Sequence, residues 1–576
     1  MHLERLKPYY ALLFAVGLAA ALQAIHVARS ATISADGITF IAIARDLAQD
    51  PAEAFRRHDQ HPGYPAMLLG AARVVHWCGY QAEPHSWAVA GTIVSYLCGL
   101  AAVAFVWLLA RNLFDARAAN YTAIAFAALP VLCWNAGDAH SDVPHLAAYL
   151  LAAWLASSGI ISGNPWTLAA AGAASAAAYW IRPEGLEVYL IALVCIAWQA
   201  IRGQWAWKKT AIAMSALSAA TLLVAAPYPI LAGKFTSKQL PFAKTQPAQT
   251  FIDLVATTQH PPAASVSPAP SPAPSAADNT AAAATATAPA PEISAQAAPT
   301  SSLATEIPTT ADSPRYTPRL IAKLLGQGFS AFINSICQGF KFIFIPFYFI
   351  GQIECARRRP QWLQIGMLSM LGATHFCVLL AVFVLSGYIA HRHVLPMVAI
   401  AMPVAALGIL YVGDRAAARS RLSAERVSAA ILALCCVAIL PYTVRALNLE
   451  FIPVMAATSW IDQHTDAGAG VVCNSPYVSF YGHRAVAYLS HEAPSLTQAL
   501  AKADPSTRYE YVVLHVNAHE FQPEWIEQIE ERYEQVGLYP DPSSIARPKE
   551  VRVYRARELA ASRVAGAQHG HPADRK

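Results

Sequence analysis

Five short stretches of this chain concentrate the side chains that could move a proton or hold a phosphate. Asp36 follows closely on a first apolar run. His58, Asp59 and His61 fall within Arg57-His58-Asp59-Gln60-His61-Pro62-Gly63-Tyr64, and Asp138, His140, Asp142 and His145 sit close together. Arg182 and Glu184 belong to Arg182-Pro183-Glu184-Gly185, and His391-Arg392-His393 comes late in the chain. A carboxylate can take the proton of an attacking hydroxyl, and a guanidinium binds phosphate oxygens two at a time. A transfer with a phosphate leaving group needs both kinds. Asp138, His140 and Asp142 also offer oxygen and imidazole donors that suit a divalent cation such as magnesium, manganese or zinc, although their spacing matches no specific metal signature.

Plainer roles exist for each. Asp36 could cap a helix beginning at Gly37, and Asp142 one with Pro144 early in its first turn. Arg182 and Arg392 are of the type that anchors a span in the headgroup layer. His391 and His393 alternate with Arg392 and, in an extended stretch, cannot all point into one site. The chemical roles gain weight only if the five stretches share one side of a membrane, and that depends on the elements that carry them.

Of the 576 residues 55% are hydrophobic and only 13% charged, against about 25% charged in globular domains, so most of the chain belongs in lipid. The formal net charge is +5, with the basic residues scattered through short loops, which excludes a nucleic-acid partner. Of the ten cysteines, Cys98, Cys133, Cys195, Cys337, Cys377, Cys435 and Cys436 lie in apolar runs, and no disulfide framework is readable.

Apolar runs able to cross about 30 Å of hydrocarbon fall at roughly 9–27, 87–110, 118–134, 143–160, 166–181, 186–201, 210–232, 330–351, 362–387, 394–412 and 427–446, about eleven spans. The first, preceded by Arg5 and Lys7, is long enough to be an uncleaved helix despite the small-residue context of Ala28-Arg29-Ser30. The segment 64–78 is too short to cross and carries Arg73 and His76, so it reads as an amphipathic surface helix. With that parity the loops holding Arg111 and Arg117, then Arg202, Lys208 and Lys209, then Arg357 to Arg359, then Arg415 to Arg426 share the cytoplasmic side with Arg5 and Lys7. All five polar stretches then face the other way. Residues 261–314, a Pro/Ala/Ser/Thr tract, read as a disordered insertion in an external loop spanning 233–329. After the last span, 447–576 alternate strand and helix patterns, as a small non-cytoplasmic α/β domain would.

The expected fold is thus an α-helical polytopic membrane protein with a small C-terminal α/β extramembrane domain. Within it, Ser34-Ala35-Asp36-Gly37 after the first helix, His61-Pro62-Gly63-Tyr64, Arg111-Asn112-Leu113-Phe114, Ser141-Asp142, Arg182-Pro183-Glu184-Gly185-Leu186 and Arg392-His393-Val394-Leu395-Pro396 occur in order. Together they resemble the GT-C superfamily of membrane glycosyltransferases, most nearly the branch of protein O-mannosyltransferases and lipid A aminoarabinose transferases. The resemblance covers roughly residues 1–446 and implies a polyprenyl-phosphate sugar donor, often a divalent cation, and a site in a plasma (inner) membrane facing the periplasm or exterior. By position it makes Asp36 the essential first-loop acid, Asp142 the later acid, His61 the surface-helix residue and Arg392 the basic residue before the proline. Two departures stand out: Gly37 follows Asp36 where many members have a second acid, and His61-Pro62-Gly63 replaces His-Pro-Pro.

The expected reaction is an inverting transfer of a sugar from polyprenyl phosphate to an acceptor hydroxyl on a protein, glycan or lipid. Asp36, Asp142 and His61 are the catalytic candidates, Arg182, Glu184, Arg392, His393 and Asp59 the donor- and phosphate-binding ones, and Asp138, His140 and Asp142 the candidate metal ligands. A secondary transporter would show internal repeats and polar residues near the bilayer midplane. Here no repeat is visible and the charges lie at span ends. A non-catalytic scaffold presenting the terminal domain is the remaining alternative.

Overall fold

Each apolar run becomes helical because a chain in hydrocarbon must satisfy its own backbone hydrogen bonds. The computed structural model describes residues 2–236, 318–357, 362–386, 388–466, 469–482, 485–489, 507, 509–516, 523–540 and 550–557. The predicted insertion at 261–314 lies outside them. Among the described residues eight helices are long and apolar enough to cross a membrane, and the pair Ala116–Ala127 and Pro130–Ala136, bent by 59°, makes up to nine.

Two predicted spans differ from the rest. Pro165–Ile181 is a helix of only 17 residues. The run at 330–351 is broken: the helix Pro318–Gly339 ends, Lys341 and Phe342 take positive φ values of 48° and 60°, and a second helix, Ile345–Arg357, begins. Hydropathy averaged over the run does not register such a break, since Lys341 is a single charge among apolar neighbours. The segment predicted as a surface helix is the helix Gly63–Trp77. Its 15 residues span about 22 Å, short of the hydrocarbon thickness. Tyr64, Leu68 and Val75 are buried, whereas Trp77 is 86% exposed.

Small residues let the spans approach closely. Gly351 and Gly408 face one another's helices, where a Cβ would collide with the carbonyl oxygens of Val404 and Phe347. Leu395–Ala417 is the central helix, buried along most of its length through Leu395, Val398, Met402, Leu407 and Ile409.

Beyond the helix Ile452–His464 the chain forms a five-stranded sheet. Its strands are β1 (Gly470–Cys473), β2 (Val486–Tyr488), β3 (Tyr509–Val516), β4 (Tyr533–Pro540) and β5 (Glu550–Ala556), in the order β2-β1-β3-β5-β4. The first three are parallel, and β5 pairs antiparallel with both β3 and β4. Alternation along the strands divides two faces. Val472, Val512, Leu514 and Tyr554 pack on Ile529 of the helix Pro523–Arg532. Val471, Val513 and Val553 instead join a core that includes Ile41 and Leu47 of the helix Ala35–Gln49. The sheet thus shares an inner core with the element that carries Asp36.

Candidate active site

Asp36 lies in the first turn of the helix Ala35–Gln49, whose cap is Ser34, the Ser34 hydroxyl accepting from Gly37 N at 3.4 Å. The capping role offered for Asp36 thus belongs to Ser34. The Ser34 amide in turn donates to Asp138 Oδ1 at 2.9 Å, and Ala139 N donates to the same oxygen at 2.6 Å. Asn448 Nδ2 reaches Asp138 Oδ2 at 3.4 Å and Thr32 O at 2.8 Å, and His140 Nε2 stands 3.3 Å from Asp138 Oδ2. Buried Asp138 is accordingly a clip joining the loop before Asp36, the loop before Asp142 and the linker to the terminal domain. Burial raises its carboxyl, but His140 and the two amide hydrogen bonds more than offset this and hold it below its usual 3.8. Burial likewise lowers the His140 imidazole, and Asp138 outweighs it, leaving His140 above its usual 6.5.

Asp142 opens the helix Asp142–Ser162, but its side chain makes no cap. Asp142 Oδ1 accepts from Arg182 Nη1 at 2.5 Å, while Arg182 Nε faces Glu184 Oε2 at 3.5 Å. Arg392 Nη2 lies 2.6 Å from Asp36 Oδ2. The stretch around Arg392 is a turn, not extended, with His393 N donating to Ala390 O at 3.0 Å and Leu395 N to Arg392 O at 3.2 Å. That turn lets Arg392 and His393 line the same small cavity, about 10 Å³, with Asp142, Arg182, Glu184 and His375. His391 turns away, its ring against Trp134 at 5.9 Å between centroids. Burial, Lys341 and Arg392 all lower its affinity for a proton.

Two carboxylate–guanidinium pairs therefore stand side by side, and exposure separates them. The Asp36 side chain is 49% exposed and its partner Arg392 25%, whereas Asp142 is 8% and Arg182 17% exposed. Asp36 is open to an incoming molecule; Asp142 chiefly holds Arg182. Burial lowers the Arg182 guanidinium, but Asp142 and Glu184 more than restore it, so its charge is fixed.

Residues 84–230 match the family described as dolichyl-phosphate-mannose-protein mannosyltransferase. The chain also aligns over 94% of its length with 97% of ArnT from Cupriavidus metallidurans bound to undecaprenyl phosphate, at 13% identity and a TM-score of 0.52. A second similar structure is the Archaeoglobus fulgidus oligosaccharyltransferase in complex with Zn and sulfate, with 94% of this chain on 73% of that one, 13% identity and a TM-score of 0.55. The chain has the fold of these structures, the GT-C fold expected from its sequence. No curated protein matches its sequence.

Within the GT-C fold the sequence candidates divide. Asp36, Asp142, Arg182, Glu184, Arg392 and His393 come together. His61 does not reach the cavity. It is 4% exposed, its Nδ1–H donates to Tyr179 O at 2.8 Å, and its ring packs on Tyr228 at 4.7 Å between centroids. Next to it a Cβ on Gly63 would stand 2.6 Å from the Trp180 backbone, so His61 and Gly63 brace the end of the helix that leads into Arg182. Asp59 instead pairs with Lys234 at 3.5 Å.

The three candidate metal ligands also separate, Asp138 and His140 onto one another and Asp142 onto Arg182. Among the described residues no group of three or more His, Cys, Asp or Glu side chains converges as a metal site would require. The exposed carboxylate already faces a guanidinium, and a second guanidinium lies close by. This donor set does not fit a divalent cation.

Two groups escaped the sequence reading. His375 interrupts the apolar run 362–387, and Glu187 stands at the start of the run 186–201, just past the Arg182–Gly185 motif. The ionisable character of His375 within its run was the available signal.

Proposed function

We propose that this GT-C protein transfers a sugar from a polyprenyl-phosphate donor to an acceptor hydroxyl, with inversion, on the non-cytoplasmic side of a multi-pass membrane. The observation that carries this reading is the pairing of Asp36 with Arg392 beside that of Asp142 with Arg182. A lipid phosphate needs fixed cations, and an attacking hydroxyl needs an accessible carboxylate. Arg392 and Arg182 supply the first, Asp36 the second.

An amphipathic donor also needs an apolar berth. A cavity of about 310 Å³ lined by Phe332, Tyr348, Leu368, Phe376, Met397 and Ile400 adjoins the ionic site. His375 and Phe376, then Pro396 and Met397, are consecutive residues that line one and the other. A polyprenyl tail in the apolar cavity would bring its phosphate to Arg392. The similar ArnT structure is bound to undecaprenyl phosphate, the same class of molecule.

The step then runs as follows. The phosphate oxygens take hydrogen bonds from Arg392, which loosens its hold on Asp36. The freed carboxylate accepts the proton as the acceptor oxygen forms its bond to the anomeric carbon. The carbon–oxygen bond to phosphate breaks on the opposite face, its electron pair staying on phosphate opposite the two guanidiniums. Asp142 keeps Arg182 aligned throughout. Basic loops on the opposite side give the expected orientation.

The test is transfer from a polyprenyl-phosphate sugar in vesicles holding only this protein, compared with Asp36→Asn. Undiminished transfer by the variant would remove Asp36 from the mechanism.

A further inference from the structure

Beneath the ionic site a buried polar chain crosses four elements of the bundle. The Tyr149 hydroxyl donates to Glu187 Oε2 at 3.2 Å. Glu187 Oε1 and Oε2 face His375 Nδ1 at 3.1 and 3.0 Å, and His375 Nε2 donates to the backbone oxygen of His393 at 3.0 Å. Glu187 and His375 are both nearly inaccessible, at 5% and 3% side-chain exposure.

The chain joins the segments that supply Asp142, Arg182, Glu184 and Arg392 to the site above; only Asp36 comes from a helix outside it. Tyr149 lies on the helix that begins at Asp142, Glu187 on the helix that follows Arg182 and Glu184, and His393 beside Arg392. His375 alone comes from a helix, Trp362–Ser386, that supplies no charged group to either ion pair.

We propose that His375 is a positioning residue, which, braced by Glu187, holds the His391–Val394 turn at the height where Arg392 can meet a lipid phosphate. The proposal rests on the lipid-phosphate reading of the site. A carbonyl oxygen only accepts, so Nε2 must carry a proton, while Nδ1 is held between both oxygens of Glu187. His145, Glu184, Arg182 and Arg392 line the same cavity. A side chain that does not reach Glu187 and the His393 oxygen together would leave the turn without its fixed height. Misplacement by about 1 Å costs up to about 100-fold in a positioned reaction.

The experiment uses the full chain in lipid nanodiscs. Polyprenyl phosphate binding is measured directly, and KM values for donor and acceptor separately, for wild type, His375→Gln, Glu187→Gln and Tyr149→Phe. His375→Gln should weaken lipid-phosphate binding at least about tenfold and raise donor KM while acceptor KM holds. Glu187→Gln should do the same to a smaller extent. Imidazole nitrogen NMR of wild type, with the His375 signals assigned by their loss in the Gln variant or their displacement in Glu187→Gln or Tyr149→Phe, should show Nε2 protonated and hydrogen-bonded. A His375 ring with Nε2 unprotonated, or a folded variant that binds lipid phosphate as tightly as wild type, overturns the proposal. Wild type that binds no polyprenyl phosphate would instead overturn the functional reading, while the NMR signature still reports on His375.

Discussion

Arg392 Nη2 sits 2.6 Å from Asp36 Oδ2, although one residue follows the first span and the other precedes the central one. The ion pair joins the exposed carboxylate to a guanidinium, and under the proposed transfer donor arrival and base release become one event. Asp36→Asn keeps the shape and removes the base. Loss of general-base catalysis should lower kcat by about 100- to 10,000-fold with donor binding kept, measurable by single-turnover transfer.

Arg182 and Asp142 behave differently because both are largely buried. Arg182→Met leaves the Asp142 carboxylate without its cation, a change that costs about 3–5 kcal/mol when a buried pair is broken. A clear fall in Tm is expected. Combining Arg182→Met with Asp142→Asn should restore much of the stability and none of the transfer. A double variant no more stable than the single would show that the pair is not the source of the loss.

The Asp138–His140 clip gives stability a pH signature. His140 is raised in the folded chain, so its contribution is complete below about 6.5 and disappears as pH climbs through the raised value. Asp138 is depressed, so its share is complete above about 3.8 and disappears only on acidification through the lowered value. Thermal stability should therefore decline as pH rises from 6.5 to 9, with a shallower slope in His140→Gln. Parallel slopes for the two proteins would rule the clip out as the cause.

Gly63 replaces the second proline of the related motif. Its Cβ-free face lies against the Trp180 backbone, which cannot move aside as a flexible side chain would. Gly63→Ala should cost about 1–3 kcal/mol through overpacking and disturb Arg182 beyond it. The check is a lowered Tm together with a raised donor KM, the latter separating this site from an ordinary core defect.

Chelation tests the donor set. With the carboxylates matched to arginines, prolonged EDTA treatment should leave transfer rates unchanged. A rate that falls and is restored by manganese or zinc would mean that these pairs rearrange around a cation.

The sequence by itself determined the membrane class, the terminal α/β domain and a short helix over Gly63–Trp77. It could do so because hydropathy and strand alternation are local properties, written in consecutive residues. Gathering Asp36, Asp142, Arg182, Glu184, Arg392 and His393 into one candidate site needed only common sidedness and a resemblance in motif order. Which carboxylate met which guanidinium was not local. Asp36 might have capped its own helix, but the Ser34 hydroxyl took that place, and a carboxylate left uncapped and half exposed turned to Arg392. His61, equally prominent in sequence, was drawn under Tyr179 and Tyr228, and Asp59 to Lys234, by contacts that no spacing reveals. Conversely His375, isolated within an apolar run, and Glu187, at the start of another, met only when two spans packed together. Burial makes an unpaired charge so costly that the fold had to supply each with a partner, and only the tertiary structure could decide which.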